Sequence, residues 1–92
     1  MSAYFIAQLN IHDKEVFGQY IDAATPVFGR YKGKHLAVED APEILEGKWD
    51  YTRLVLIEFP DKESLKEWYH SEDYQATLKL RFAAANADII IV

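Results

Sequence analysis

Three segments of this chain carry hydrophobic residues on both sides of an extended backbone, and no other feature constrains the fold as strongly. Side chains alternate across a strand. In RLVLIEF, Arg53 to Phe59, one set is Val55, Ile57 and Phe59, and the other is Leu54, Leu56 and Glu58. Near the N-terminus the two sets are Phe5, Ala7, Leu9 and Tyr4, Ile6, Gln8; at the C-terminus Ile89 and Ile91 oppose Ile90 and Val92. A sheet built from these strands has two apolar faces. The 92 residues hold enough helical sequence for a single covering layer. The second face then needs cover from outside, most simply from another copy of the chain. A homodimer with its sheets face to face is the expectation.

The elements between the strands read clearly. After AYFIAQLNI, residues 3 to 11, the pair His12-Asp13 offers a helix cap. Val16, Phe17, Tyr20, Ile21, Ala24, Val27, Phe28 and Tyr31 then recur at helical spacing. Pro26 predicts a kink or a new turn, with the helix ending near Gly29 or Gly33. Lys34 to Glu39 is a weak strand. Asp40 to Asp50, with Pro42, Gly47 and scattered acids, is an exposed excursion long enough for a short hairpin. Asp61 caps a helix whose apolar side is Leu65, Trp68 and Tyr69, and Ser71 caps a second piece carrying Tyr74, Leu78, Phe82 and Ala85. Asn86 is expected to stop that helix, with Ala87 to Val92 as the closing strand. The order βαββαβ is that of a ferredoxin-like α+β fold, a four-stranded antiparallel sheet with helices on one face, filling the chain as one domain.

Composition removes several functions. Without cysteine there is no disulfide, no thiolate nucleophile and no thiolate-held metal. A net charge of −5 opposes nucleic acid and anionic membrane as partners. RNA recognition motifs share this strand order but need aromatics and basic residues around the sheet, where this chain is aliphatic and acidic. The longest apolar run is far below the roughly 20 residues of a membrane span, and no leader pattern opens the chain. A cytoplasmic location is expected. His12, His35 and His70 follow no metal-ligand spacing, so no metal is expected. The four glycines form no phosphate-binding loop, and no cofactor is expected.

The remaining chemistry lies in Glu46, Arg53, Glu58 and Arg81 with Gln8, Asn10, Tyr20, Trp68 and Tyr69. The plainer reading is an ion pair between Arg53 or Arg81 and a carboxylate, closing one end of the sheet. If such a pair is buried, Arg53→Met strands the carboxylate at roughly 3 to 5 kcal/mol. The functional reading is a pocket lined by Arg53, Tyr20, Trp68, Tyr69 and Arg81. In it Arg53 holds an anionic or carbonyl oxygen while His35 or a carboxylate such as Glu46 moves a proton. Trp68 and Tyr69 are adjacent on a helix and point about 100° apart, so one belongs to the core and the other to a rim.

The segments Glu46-Gly47-x-Trp49-x-x-x-Arg53, Phe59-Pro60, Trp68-Tyr69 and Ser71-x-x-Tyr74-Gln75, with Arg81 beyond, resemble the family called domain of unknown function 1330. The resemblance runs along nearly the whole chain, departing at Lys32 and Glu72, where glycine and proline are usual. It implies the dimeric α/β barrel superfamily, in which two ferredoxin-like protomers pair their sheets, and it agrees with the dimer reached from strand patterning. It implies no reaction, since the related proteins include cofactor-independent oxygenases, isomerases, dehydratases and haem-handling proteins. Two functions stay open. One is a small-molecule pocket protein acting on an oxygenated or aromatic metabolite; the other is a non-catalytic homodimer with a binding or structural role.

Overall fold

A computed structural model describes residues 1–92. The elements are β1 (Ala3–Ile11), α1 (Lys14–Phe28), β2 (Lys34–Glu39), β3 (Arg53–Phe59), α2 (Lys62–Tyr69), α3 (Glu72–Ala84) and β4 (Ala85–Ile91). The strands form one sheet in the order β2-β3-β1-β4, with every neighbouring pair antiparallel. This is the ferredoxin-like arrangement. No helix is long and apolar enough to cross a membrane.

Local chemistry sets the helix ends. The Asp13 carboxylate accepts from the Val16 N–H at 3.1 Å, and Asp61 accepts from the Ser64 N–H at 2.7 Å. Ser71 works on both sides of a junction. Its hydroxyl donates to the Trp68 carbonyl at 2.8 Å and accepts from the Tyr74 N–H at 3.1 Å. One side chain thereby closes α2, opens α3 and fixes the angle between them.

Three sequence expectations change. The helix α1 runs through Pro26 with no new turn there, though it ends at Phe28 with Gly29 as its cap, where the sequence places the end. So close to the end, the missing proline N–H removes little. The excursion from Asp40 to Thr52 forms no hairpin, because its single tight turn at Gly47, φ 82°, is flanked by no paired segments. Asn86 does not stop α3: the helix gives way directly to β4 at Ala85, whose extended backbone still donates to the Arg81 carbonyl.

The face toward the helices carries Ala3, Phe5, Ala7 and Leu9 of β1 with Ile57 and Phe59 of β3, all buried. Trp68 of α2, 3% exposed, stands at the centre of this layer. Its ring lies 5.2 Å from that of Phe5, 5.4 Å from Phe59, 5.6 Å from Phe28 and 4.4 Å from Tyr74. Gly33 leaves room for this packing, since a Cβ there would stand 2.6 Å from the rings of Phe28 and Phe59.

The opposite face is less uniformly apolar than strict alternation implies. Ala37, Leu56, Ile6 and Ile90 are cross-strand neighbours and make one apolar row spanning all four strands. The rows on either side are mixed: Lys34, Glu58 and Tyr4 on one, Glu39, Leu54, Gln8 and Asp88 on the other. Within one chain no helix covers this face.

Of the two adjacent aromatics, Trp68 is the core member and Tyr69 is half-buried. Trp68→Ala is expected to cost about 3 to 5 kcal/mol in urea unfolding, as buried aromatic truncations do. Tyr69→Ala is expected to cost no more than about 2 kcal/mol. Equal losses would contradict this assignment.

Candidate functional site

The helical layer does not close fully on the sheet. Beneath α1, over β1 and β3 and the edge strand β2, lies a cavity of about 390 Å³ lined by 19 residues, 14 of them hydrophobic. Its floor includes Ala7, Val55 and Ile57, its roof Phe17, Ala24 and Phe28, and its inner end Trp68, Tyr74 and Arg81. Exposed Ile21, Val38 and His35 stand around its mouth on the β2 side.

A β-bulge shapes that mouth. His35 pairs with Ile57 and Ala37 with Leu56, so Leu36 is an extra residue that shifts the alternation. As a result His35 and Val38, three residues apart, face the same cavity. The His35 ring rests 4.5 Å from that of Phe28, and partial burial lowers its pKa from the ordinary 6.5. Desolvation disfavours the imidazolium, so the neutral ring dominates at pH 7.

Arg53 also reaches the mouth, but its charge is met. Its guanidinium holds Asp40 in a fork, Nε to Oδ1 at 2.6 Å and the second nitrogen to Oδ2 at 3.1 Å, and lies 5.4 Å from the centre of the Phe17 ring. Asp40 sits one step beyond the Glu39–Leu54 pairing, directly across from Arg53. The hydrogen bond from Arg53 keeps the Asp40 carboxyl below its usual 3.8. The pair therefore contributes above that value and is lost as acid titrates the carboxylate.

Arg81 differs. It is 4% exposed, no carboxylate lies within 4.0 Å of it, and its Nε has no hydrogen-bond partner. An arginine keeps its charge in proteins, and burying an ion has an effective penalty of several kcal/mol. Two features offset part of this. Arg81 occupies the last turn of α3, where the helix dipole favours a cation by about 0.3 to 2 kcal/mol, and its guanidinium lies 5.5 Å from the Phe82 ring, worth about 0.5 to 1 kcal/mol at an exposed site. Together these fall short of the penalty.

Beside Arg81, the hydroxyls of Tyr20 and Tyr74 meet at 2.7 Å. Burial pushes the Tyr20 hydroxyl above 10, against the hydrogen bond from Tyr74, the charge of Arg81 and a weaker hydrogen bond from the Arg81 guanidinium, all of which favour ionisation. Burial pushes Tyr74 further still, and Tyr20 adds to the shift. Both remain neutral O–H groups. One proton joins the pair, and the other is free to donate elsewhere. The indole Nε1 of Trp68, buried in the same lining, has no partner either.

The sequence cluster is thus divided. Tyr20, His35, Arg53, Trp68 and Arg81 surround one cavity. Glu46 is exposed on the β2–β3 loop, outside the lining. Tyr69 is also outside it, its ring 5.6 Å from that of Tyr74. Glu58 and Gln8 lie on the open face, where Glu58 accepts from the Tyr4 hydroxyl at 3.3 Å. Sequence reading missed two participants. Asp40 becomes visible only once the bulged register is known, and Tyr74 looked like one more member of an apolar helical stripe.

The architecture defines a ferredoxin-like protein with a cavity roofed by its first helix. The chain belongs to the family described as Domain of unknown function (DUF1330), whose model matches residues 2–92. No curated protein matches it. Among solved structures it is similar to a protein of unknown function from Rhodopseudomonas palustris, at 19% identity and TM-score 0.83 over 99% of this chain and 80% of that one. It is also similar to SnoaB, a cofactor-independent oxygenase from Streptomyces nogalater, at 11% identity and TM-score 0.73 over 99% of this chain and 90% of that one. A dimeric ferredoxin-like protein of unknown function from Thermobifida fusca is similar at 15% identity and TM-score 0.70, covering 100% of this chain and 90% of its own.

Two predictions follow from the mouth. The Asp40 side chain is 64% exposed and returns to water when its partner is removed, so Arg53→Met is expected to cost less than about 1 kcal/mol, well below the figure for a buried pair. A loss above about 3 kcal/mol in denaturant melts would show the pair to be structural. The NMR titration of His35 is expected to have its midpoint below 6.5. A midpoint at or above that value would place the ring in water or beside a carboxylate.

Proposed function

We propose that this chain is a homodimeric pocket protein that takes a small oxygenated or aromatic metabolite into the cavity beneath α1, without a nucleotide cofactor. The observation that carries the reading is the cavity itself. Its volume of about 390 Å³ lies within the usual span of ligand pockets, and its lining is mostly apolar with a few polar groups at the mouth and at the inner end. Tyr20, Trp68 and Arg81 are the ligand-binding residues in this reading, with Tyr74 beside them and His35 and Arg53 at the entrance. The fold also carries a cofactor-independent oxygenase in SnoaB, so a chain of this architecture can host chemistry with no bound cofactor.

The second copy belongs on the open face. The row Ala37, Leu56, Ile6 and Ile90 is a continuous apolar stripe with charged and polar rows on either side, which is the pattern of an interface core with a polar rim. Two such stripes pack against each other about a twofold axis, as isologous contacts require. Dimeric ferredoxin-like proteins among the similar structures support a homodimer.

Light scattering at low micromolar concentration is expected to give twice the 10.6 kDa of one chain, and Ile6→Glu to give one chain's mass. A folded wild-type monomer would overturn the dimer. In a thermal-shift screen of small apolar acids, phenols and ketones, hits are expected to raise the melting temperature, since a ligand that prefers the native state stabilises it. Ala24→Trp, which fills the cavity from its roof, is expected to melt normally and lose the response. A response that survives this substitution would place binding elsewhere.

A further inference from the structure

The buried side-chain atoms left without a partner among the residues at the inner end of the cavity are hydrogen-bond donors. Arg81 and Trp68 belong to its lining, the Nε–H of the first and the Nε1–H of the second are buried without a partner, and the Tyr20–Tyr74 pair retains one free O–H. A guanidinium and an indole N–H have no acceptor capacity at all. No Asp or Glu is among the lining residues, and the Thr25 hydroxyl at the roof is already donating to the Ile21 carbonyl at 2.7 Å. The inner end therefore carries one positive charge, no carboxylate, and donors in excess of acceptors. We infer that the ligand of this cavity is an apolar organic carboxylate, whose oxygens take the N–H groups of Arg81 and the free tyrosine hydroxyl while its hydrocarbon body fills the space beneath α1.

The two arginines divide the work at opposite ends. Arg53, neutralised by Asp40, stands at the mouth and leaves no net attraction inside. Arg81 is 96% buried and lies at the inner end, so an entering acid places its charged head deepest and its body behind it. The neutral tyrosines fit this role, since burial that keeps their protons in place keeps them as donors to an anion. A carboxylate also offsets the cost of burying the Arg81 guanidinium, because it brings the counter-charge that no Asp or Glu of the chain provides.

This inference rests on the pocket reading above, and the test separates the two. Matched acid and amide pairs, namely benzoate with benzamide, 2-naphthoate with 2-naphthamide and octanoate with octanamide, are titrated into the wild-type protein by calorimetry at pH 7. At least one acid is expected to bind tenfold or more tightly than its amide, on the order of the gain from a charge-assisted pair. Arg81→Met is expected to erase that gap, leaving amide binding within about twofold, and to melt no lower than the wild type in the absence of ligand, because it removes an uncompensated buried charge. Equal binding of acid and amide overturns the inference while the pocket stands. Binding of neither member of any pair overturns both. A steep fall in the melting temperature of ligand-free Arg81→Met also overturns it, since the guanidinium would then be held by a structural partner.

Discussion

The indole of Trp68 is where the layers of this molecule meet. It lies against Phe5 and Phe59 of the sheet, Phe28 of α1 and Tyr74 of α3, so the sheet and all three helices are referenced to one rigid ring. Ser71 locks the helix that carries it to the next one, its hydroxyl donating to the Trp68 carbonyl and accepting from the Tyr74 N–H. A ring this large also holds the layers apart. Between α1 and the sheet, Phe17 and Phe28 fill only part of the space, and the cavity remains.

The cavity and the open face both follow from how three helices cover one four-stranded sheet. Ninety-two residues provide three helices, one of which must both pack along α3 and roof the β2 side of the sheet. The roof is incomplete, and the opposite face has no roof at all. The two deficits call for different partners. The open face is broad, with apolar residues flanked by rows of both charges, and suits a protein surface. The cavity is narrow and ends in donors around a buried cation, and suits a small molecule. The fold therefore has room for function without any metal-ligand or phosphate-loop motif in its sequence.

Much of this was legible from residue order. Asp13, Asp61 and Ser71 announced the helix starts, and alternation in Arg53 to Phe59 and in β1 gave the strands and their two faces. Tyr20, His35, Arg53, Trp68 and Arg81 were singled out as chemistry and do surround one space. What stayed hidden depended on register and depth. The bulge at Leu36 changes which β2 residues face the cavity, and Asp40 meets Arg53 only through that register. Glu46 was grouped with the arginines by charge, yet it lies on a loop that no strand pairing brings inward. Which arginine meets a carboxylate and which does not is invisible in the spacing, because it depends on the register that sets Asp40 across from Arg53.

The central claim is that Arg81 is a buried cation awaiting an anion from outside the chain. It is tested most directly by following the arginine Nε–H resonances in NMR spectra while 2-naphthoate is added. The account predicts that the Arg81 signal shifts and its exchange with water slows as the site fills, while that of Arg53, already bonded to Asp40, barely moves. A titration that moves Arg53 and leaves Arg81 unchanged would contradict it.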